Sequence, residues 1–424
     1  MRKEMESLKE YKIVFYDIFK WSFISIFKGL VVGFGVSLFL MMLEKFSVFV
    51  RNYPFHVPFY FFLPFAMGIS AFIVYKTLPE AEGDGTEDII RDAVEDNKRL
   101  NIFTFTVKQV ATILTIVFGG SAGKEAPSAQ IGGYISLVFS RILKFSYADR
   151  ILTIITGVSA GFAVVFGAPI AGAIFAIEAF FAGRILCRVC VPAFISGFVA
   201  FWVMKLLNVP YIYKPIEIEF VPDLWQLAQL GKVILAGIFF GLISYFVIIA
   251  MEYATKFARV IIINPFFKGM FGGTIIVVLA TIFGSEYLGL GVDIIALSLN
   301  PEYHASIFEP VLKILFTALT LGFGGSGGFV TPILFVGATS GNFFGHLIGD
   351  NAALFAAIGF VAVLSGSTNT PIASTILAAE LFGADVIHYA AIASLISYLV
   401  SSKKSVFSRE IIDLINKRFK KHYP

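Results

Sequence analysis

A glycine-rich stretch of ten residues occurs twice in this chain. Residues 118–127 read FGGSAGKEAP and residues 323–332 read FGGSGGFVTP, so six of the ten positions are identical. The copies lie 323 − 118 = 205 residues apart, close to half of the 424 residues. A second pair, residues 169–178 and 371–380, is also identical at six of ten positions and is offset by 371 − 169 = 202 residues. Two matches in the same order indicate that one ancestral half is used twice.

The composition places this duplicated chain in a membrane. Hydrophobic residues make up 57% of the sequence and charged residues only 15%, whereas soluble domains carry about 25% charged residues. Several apolar runs are shorter than the roughly 20 residues of a simple span, or are broken by Gly and Pro. Broken helices at membrane depth survive only where protein or a watery cavity shields their backbone. We therefore predict an all-α polytopic membrane protein built from two repeated halves with broken, re-entrant helices.

The distribution of charge predicts the organisation of the chain. Residues 1–20 are predicted to form a cytoplasmic amphipathic helix, since no cleavage site follows the long apolar run after them. Residues 21–207 and 208–402 form the two transmembrane halves, and residues 403–424 form a basic C-terminal helix on the cytoplasmic side. The positive-inside rule then places both termini in the cytoplasm. We expect a multi-pass protein in the plasma (inner) membrane of a prokaryote.

Glu125 is the main candidate for a functional side chain. It follows the glycines and Lys124 and stands two residues before Pro127. A Gly-rich turn that leads into a helix leaves backbone N–H groups and partial positive charge at the helix start, which suits an anion. The Glu125 carboxylate can occupy that position itself, so an arriving anion would compete with it. Glu125 is either a gate that opens when the carboxylate is displaced or protonated, or an acid favourably placed in a first helical turn. An ionisable side chain within a membrane is energetically costly and usually functional, which favours the gate.

The second copy of the stretch offers the same geometry without the acid. Phe329 stands at the position of Lys124, and Val330 stands at that of Glu125. An anion can therefore sit where the two helix starts converge, held by backbone dipoles. Such weak coordination permits release as well as binding.

Other polar residues indicate no metal site and no enzyme. Cys187 and Cys190 form a Cys-x-x-Cys pair without a nearby His or further Cys, so structural or incidental thiols are preferred over a metal or redox role. The five histidines are dispersed and show no ligand spacing, and no catalytic triad or nucleic-acid-binding basic stripe is present. Glu178 and Glu380 occupy equivalent places in the two halves, which indicates a shared architectural role near helix ends.

Four motifs resemble the CLC family of chloride channels and proton-coupled anion exchangers. Residues 123–127 (GKEAP) are similar to the family's Gly-Lys/Arg-Glu-Gly-Pro motif. Residues 79–87 lie where the family has its Gly-Ser-Gly-Ile-Pro loop, and residues 328–332 resemble its Gly-x-Phe-x-Pro loop. Residues 166–172 resemble a helix junction of the family. The resemblance covers about residues 21–420, nearly the whole chain.

This resemblance implies a CLC-like inverted repeat and a homodimer with one anion pathway per subunit, without a cofactor. The sequence continues only briefly after the last apolar run, so no cytoplasmic regulatory domain is expected. It assigns the gate to Glu125. Backbone amides of Lys124, Glu125 and Ala126 would line an outer anion site. Those of Phe329 and Val330 would line a central one.

Two departures from the family pattern concern the central anion. Asp84 stands where the family has a serine hydroxyl, and Phe407 stands where it has a tyrosine hydroxyl. Asp84 either caps the helix predicted at residues 86–94, or faces the pathway, where its protonated form can donate a hydrogen bond to an anion.

A third departure concerns protons and the identity of the ion. Ala179 stands where many exchangers have an inner proton-carrying glutamate. Its absence favours a passive channel, or an exchanger that moves protons by another route, for which Asp84 is one candidate. The fluoride-exporting branch of the family also lacks this glutamate, and residues 330–342 resemble that branch. Chloride is the default ion and fluoride is the alternative, and protons are a candidate co-substrate. The competing class of function is a membrane sensor or scaffold of the same fold that has lost transport.

Overall fold

The computed structural model describes residues 2–52, 57–77, 102–180, 187–209, 227–261, 264–401 and 405–407. Fifteen α-helices lie within these residues, and two short 3-10 turns occur at Phe59–Phe62 and Ala384–Val386. The helices of the first half are α1 (Arg2–Asn52), α2 (Leu63–Thr77), α3 (Ile102–Val117), α4 (Glu125–Ile142), α5 (Tyr147–Phe166), α6 (Pro169–Phe180) and α7 (Cys187–Leu206). Those of the second half are α8 (Leu227–Ile261), α9 (Pro265–Phe283), α10 (Val292–Ser298), α11 (Phe308–Gly322), α12 (Val330–Leu347), α13 (Ala352–Thr368), α14 (Pro371–Phe382) and α15 (Ile387–Val400).

Six helices are long and apolar enough to cross a bilayer, and five shorter apolar helices accompany them among the described residues. The outer surface carries large apolar side chains, such as Phe34, Trp202 and Phe246, which are 56–60% exposed. A soluble protein would bury many of these groups, whereas lipid accommodates them. The all-α polytopic membrane fold expected from composition is confirmed.

Helix α1 runs without a break from Arg2 to Asn52. The helix predicted for residues 1–20 therefore continues directly into the first apolar run. The predicted boundary between the halves, at residues 207 and 208, follows the end of α7 at Leu206. Most of the predicted C-terminal segment, residues 403–424, lies outside the described residues, so this division of the chain stays a prediction.

The sequence repeat recurs helix by helix. Helices α4 and α12 contain 18 residues each, and both their first and their last residues are offset by 330 − 125 = 347 − 142 = 205 positions. Helices α6 and α14 contain 12 residues each and are offset by 202. The central helices are thus two copies of one unit.

Small residues let the paired helices of each half approach closely. A Cβ atom built on Gly132 of α4 would lie 2.0 Å from the carbonyl oxygen of Gly157 in α5. In the second half, a Cβ atom on Gly337 of α12 would lie 2.3 Å from the carbonyl oxygen of Gly359 in α13. In a membrane, helices associate through such close backbone contacts because apolar burial adds little there. This packing holds α4 and α12 firmly, so their starts have defined positions.

Candidate functional site

The two glycine-rich loops meet at the centre of the molecule. The N–H of Gly123 donates a hydrogen bond to the carbonyl of Gly328 at 2.6 Å, and the N–H of Gly328 donates to the carbonyl of Gly123 at 2.8 Å. This is a single antiparallel bridge between the halves. Because each glycine lies two residues before a helix start, the bridge brings the first turns of α4 and α12 together.

Each loop is also held by a helix of the opposite half. The N–H of Ser121 in the first loop donates to the hydroxyl of Thr320 on α11 at 3.0 Å. The N–H of Ser326 in the second loop donates to the hydroxyl of Thr115 on α3 at 3.1 Å. Both donors and both acceptors are related by the same offset of 205 residues, so the site has approximate twofold symmetry.

Glu125 breaks this symmetry. Its side chain is fully buried, and its carboxylate crosses from the start of α4 to the start of α12. Oε2 accepts a hydrogen bond from the N–H of Thr331 at 3.0 Å, and the Thr331 hydroxyl lies 2.7 Å from Oε1 and 2.6 Å from Oε2. Thr331 is the second residue of α12, so its N–H has no partner within the helix. The carboxylate therefore accepts hydrogen bonds at the start of the second helix, although Glu125 belongs to the first.

The other predicted residues at the helix starts are in place. Lys124 precedes α4 and Phe329 precedes α12, and neither side chain caps its helix by a hydrogen bond. Lys124, Ala126 and Val330 are each 2% exposed. The backbone at both helix starts is thus enclosed by protein, and Glu125 is the acid positioned at their junction.

Phe407 lies beside the second helix start. Its ring centroid is 5.4 Å from that of Phe329, with an interplanar angle of 69°, and 6.1 Å from that of Phe180. The N–H of neighbouring Val406 donates to the carbonyl of Ser367 at 2.9 Å, which fixes this segment against α13. An aromatic edge carries partial positive charge. Phe407 can therefore present a ring edge in place of the hydroxyl that the family resemblance implied.

Ala179 is a buried residue of α6, next to Phe180. Its methyl group cannot carry a proton. Asp84 lies outside the described residues, so its role as a helix cap or a pathway residue stays open. Cys190 is half-buried on α7, and Cys187 is the first residue of that helix.

The architectural role predicted for Glu178 and Glu380 is confirmed. The Glu178 carboxylate on α6 accepts the N–H groups of Ile372 and Ala373 at the start of α14, at 3.1 and 2.8 Å. The Glu380 carboxylate on α14 accepts the N–H groups at the start of α6 at the same two distances, from Ile170 and Ala171. Each acid therefore caps the helix that carries the other.

Two features were missed by sequence reasoning. His304 and His346, which are 42 positions apart, stack with ring centroids 3.8 Å apart. Within the described part of the chain, no group of three or more His, Cys, Asp or Glu side chains is arranged to hold a metal ion. The second feature is a set of lysines that are at most 7% exposed, namely Lys28, Lys108, Lys124, Lys268 and Lys313.

Buried acids are fewer among the described residues, comprising Glu125, Glu178 and Glu309. The described interior thus holds five lysine side chains against three glutamate side chains. Fixed positive charge lowers the electrostatic cost of an anion inside a membrane. In the sequence these lysines look like ordinary members of apolar runs, and only their position inside a membrane helix could have singled them out.

An inverted repeat with two broken helices that start at one enclosed site is the architecture of a membrane ion transporter. The family model for voltage-gated chloride channels matches residues 66–402 of this chain. The chain therefore belongs to the voltage-gated chloride channel (CLC) family and is an anion-transport protein of that family.

Relatives and a solved structure agree with this assignment. A chloride/fluoride channel protein of Pseudomonas syringae pv. tomato is 31% identical over 401 residues, covering 92% of this chain and 86% of that protein. The H(+)/Cl(-) exchange transporter ClcA of Vibrio cholerae is 26% identical, covering 74% of this chain and 69% of that protein. The crystal structure of a CLC-type fluoride/proton antiporter superposes with a TM-score of 0.84 at 25% identity, covering 92% of this chain and 97% of that one.

Proposed function

We propose that this protein exchanges fluoride for protons across the membrane and that Glu125 is both its gate and its proton carrier. The observation that carries the proposal is the Glu125 carboxylate bound to the N–H and hydroxyl of Thr331 at the start of α12. Those donors are the ones that an anion would use. Carboxylate and anion therefore compete for a single position.

Protonation decides this competition. A deprotonated Glu125 accepts the Thr331 hydrogen bonds and occupies the site. A protonated Glu125 has lost the charge that held it there, so it can leave, and the helix start becomes available to a halide. One proton taken up by the gate thus admits one anion.

The lack of an acid at the inner proton position supports assigning the proton to Glu125. Ala179, at the inner proton position of many exchangers, is a buried methyl group. Glu125 is the titratable group that contacts the helix-start donors in the described part of the chain. A proton carried by the gate itself therefore needs no inner glutamate.

Fluoride is favoured by the site and by the relatives. Thr331 supplies one N–H and one O–H at the same point, and the small, charge-dense fluoride ion accepts such short hydrogen bonds strongly. The relative from Pseudomonas syringae is named a chloride/fluoride channel protein, and the solved structure is a fluoride/proton antiporter. Chloride remains the second candidate, because the relatives from Vibrio are named proton/chloride exchangers.

Membrane orientation and assembly form part of the proposal. We infer that both termini face the cytoplasm of a prokaryote, so that the Glu125 side of the site faces outward, and that the protein is a homodimer. Light scattering of the detergent-purified protein measures the number of chains per particle. A single-chain mass would remove the homodimer without affecting the transport proposal.

The decisive experiment is halide efflux from liposomes that contain the purified protein. Fluoride or chloride release is followed with an ion-selective electrode while external pH is recorded, with valinomycin and potassium holding the voltage at zero. Fluoride release faster than chloride release and coupled to proton uptake is expected. Faster chloride release would reassign the ion, anion flux without proton movement would indicate a channel, and no flux above empty liposomes would indicate a non-transporting scaffold.

A further inference from the structure

Lys313 is a fully buried lysine of α11 with no role in the gate described above. Its ammonium nitrogen donates hydrogen bonds to the carbonyl oxygens of Tyr287 and Gly289, at 3.0 and 2.9 Å. It also lies 5.0 Å from the centre of the Phe335 ring. Two carbonyls and one ring face are three acceptors, which match the three N–H donors of an ammonium group.

The charge of this ammonium group is not neutralised locally. Its partners among the described residues are two carbonyl groups and an aromatic ring, and no carboxylate is among them. Carbonyl dipoles and an aromatic face stabilise a cation without cancelling its charge. Lys313 therefore adds positive potential to its surroundings inside the membrane.

Those surroundings include the anion site. Phe335, which lies under the ammonium group, is four residues after Thr331 on α12, so the two occupy one face of the helix about one turn apart. The N–H of Gly289, whose carbonyl binds Lys313, donates to the carbonyl of Gly119 in the first glycine-rich loop at 3.1 Å. Helix α11 also carries Thr320, which holds Ser121 of that loop.

We propose that Lys313 sets the halide affinity of the transport pathway and that its ammonium form raises halide occupancy of the site between α4 and α12. This inference rests on the proposed anion transport. Lys313 should change the halide concentration needed to fill the site, because its positive charge attracts the ion. It should leave the maximal rate unchanged, because it takes no part in proton transfer.

A second buried lysine provides the matched control. Lys28 of α1 is also fully buried, and it donates to the carbonyl of Thr153 at 3.1 Å and to the Thr156 hydroxyl on α5. Neither partner belongs to a glycine-rich loop or to α12. A general cost of losing a buried ammonium group should appear at both lysines, whereas an effect on the halide site should appear at Lys313 alone.

The test compares Lys313→Gln, Lys313→Arg and Lys28→Gln with the wild type, all in the full-length chain. Glutamine keeps an N–H donor for the carbonyls without the charge, and arginine keeps the charge. Fluoride and chloride binding is measured by calorimetry in detergent, and initial flux is measured against halide concentration in liposomes. Folding of each variant is checked by size-exclusion chromatography and thermal unfolding.

For Lys313→Gln we expect the Kd and the half-saturating halide concentration to rise on the order of tenfold, with the maximal rate nearly unchanged. Lys313→Arg and Lys28→Gln should keep wild-type values. Unchanged halide binding by Lys313→Gln, or an equal rise in Lys28→Gln, would overturn the inference.

Two further outcomes keep the test decisive. If Lys313→Gln does not fold, the halide affinity of Lys313→Arg decides between the two explanations. Wild-type affinity in that variant supports a role for the charge. A tenfold loss of affinity shows that the contacts with the carbonyl groups matter instead, which would overturn the inference. If the wild type binds halide but shows no flux, the transport proposal fails, while calorimetry still tests Lys313.

Discussion

The carboxylate of Glu125, the first residue of α4, accepts the N–H of Thr331, the second residue of α12, at 3.0 Å. The two residues are not equivalent in the repeat, because Thr331 corresponds to Ala126 and Glu125 corresponds to Val330. The gate of one half is thus held by a residue of the other half.

Replacing Glu125 by Gln should make transport largely insensitive to pH. Glutamine resembles the protonated acid in size and carries no charge, so it should not compete with a halide for the start of α12. Halide efflux from liposomes between pH 5 and pH 8 measures the effect, and proton coupling should disappear with it. A variant whose flux keeps the wild-type pH response would remove Glu125 from the gating role.

Replacing Thr331 by Val should open the gate more readily. Valine keeps the shape and the backbone N–H but removes the hydroxyl donor, and a hydrogen bond to a charged group contributes about 1.5–3 kcal/mol. The same hydroxyl would also bind the halide, so at saturating halide concentration we expect the pH of half-maximal flux to rise by about one unit. Thr339→Val is the control, because the Thr339 hydroxyl bonds only carbonyls of its own helix, those of Phe335 and Val336. Equal effects of the two substitutions would contradict a gate held by Thr331.

Replacing Gly123 by Ala should displace the gate. A Cβ atom at this position would lie 2.6 Å from Oε2 of Glu125 and 2.9 Å from the nitrogen of Thr331. The carboxylate would have to leave its position, so the pH dependence of flux should be lost together with thermal stability. Gly231→Ala serves as the comparison, since a Cβ there meets nothing within 4 Å. Normal gating in Gly123→Ala would show that the loop tolerates the methyl group.

Replacing Glu178 by Gln should lower stability. An amide offers one acceptor oxygen where the carboxylate offers two, so one buried N–H at the start of α14 loses its partner at a cost of about 1–3 kcal/mol. Glu380→Gln should show a similar loss, because it caps α6 in the same way. Thermal unfolding in detergent measures both. Glu252→Gln, in an exposed pair with Lys256, should cost much less, and a comparable loss there would argue against specific capping.

The loop between α12 and α13 should contribute pH-dependent stability through Asp350. Burial alone would raise the pKa of Asp350, but hydrogen bonds from Lys232 and from the Asn351 N–H outweigh it and hold the pKa below its ordinary value of 3.8. A depressed pKa contributes stability above the unfolded-state value and loses it as the pH falls through the folded-state value. Asp350→Asn should therefore unfold at a lower temperature than the wild type at pH 7, and the difference should shrink as the pH falls below 3.8. A difference that persists at acidic pH would contradict the role of the charge.

Local features of the chain were sufficient for the fold class and for part of the site. Near-continuous apolar runs require a membrane, because no soluble fold can bury so much apolar surface. The glycines before Glu125 and Val330 mark helix starts, and their spacing of 205 residues implies that both starts belong to one site. These conclusions depend on composition and on residues adjacent in the chain.

Contacts between segments that are far apart in the sequence could not be read in this way. Three contacts depend on how distant segments pack. They are the hydrogen bonds from Thr331 to Glu125, the capping of two helix starts by Glu178 and Glu380, and the stacking of His304 on His346. Lys313 gave no signal in the sequence, because its surroundings come from a turn more than 20 residues earlier and a helix more than 20 residues later. Local sequence determined where helices begin and which backbone groups they leave unpaired. Tertiary packing decided which side chains fill those positions, because each partner comes from a distant part of the chain and is placed only when the halves assemble.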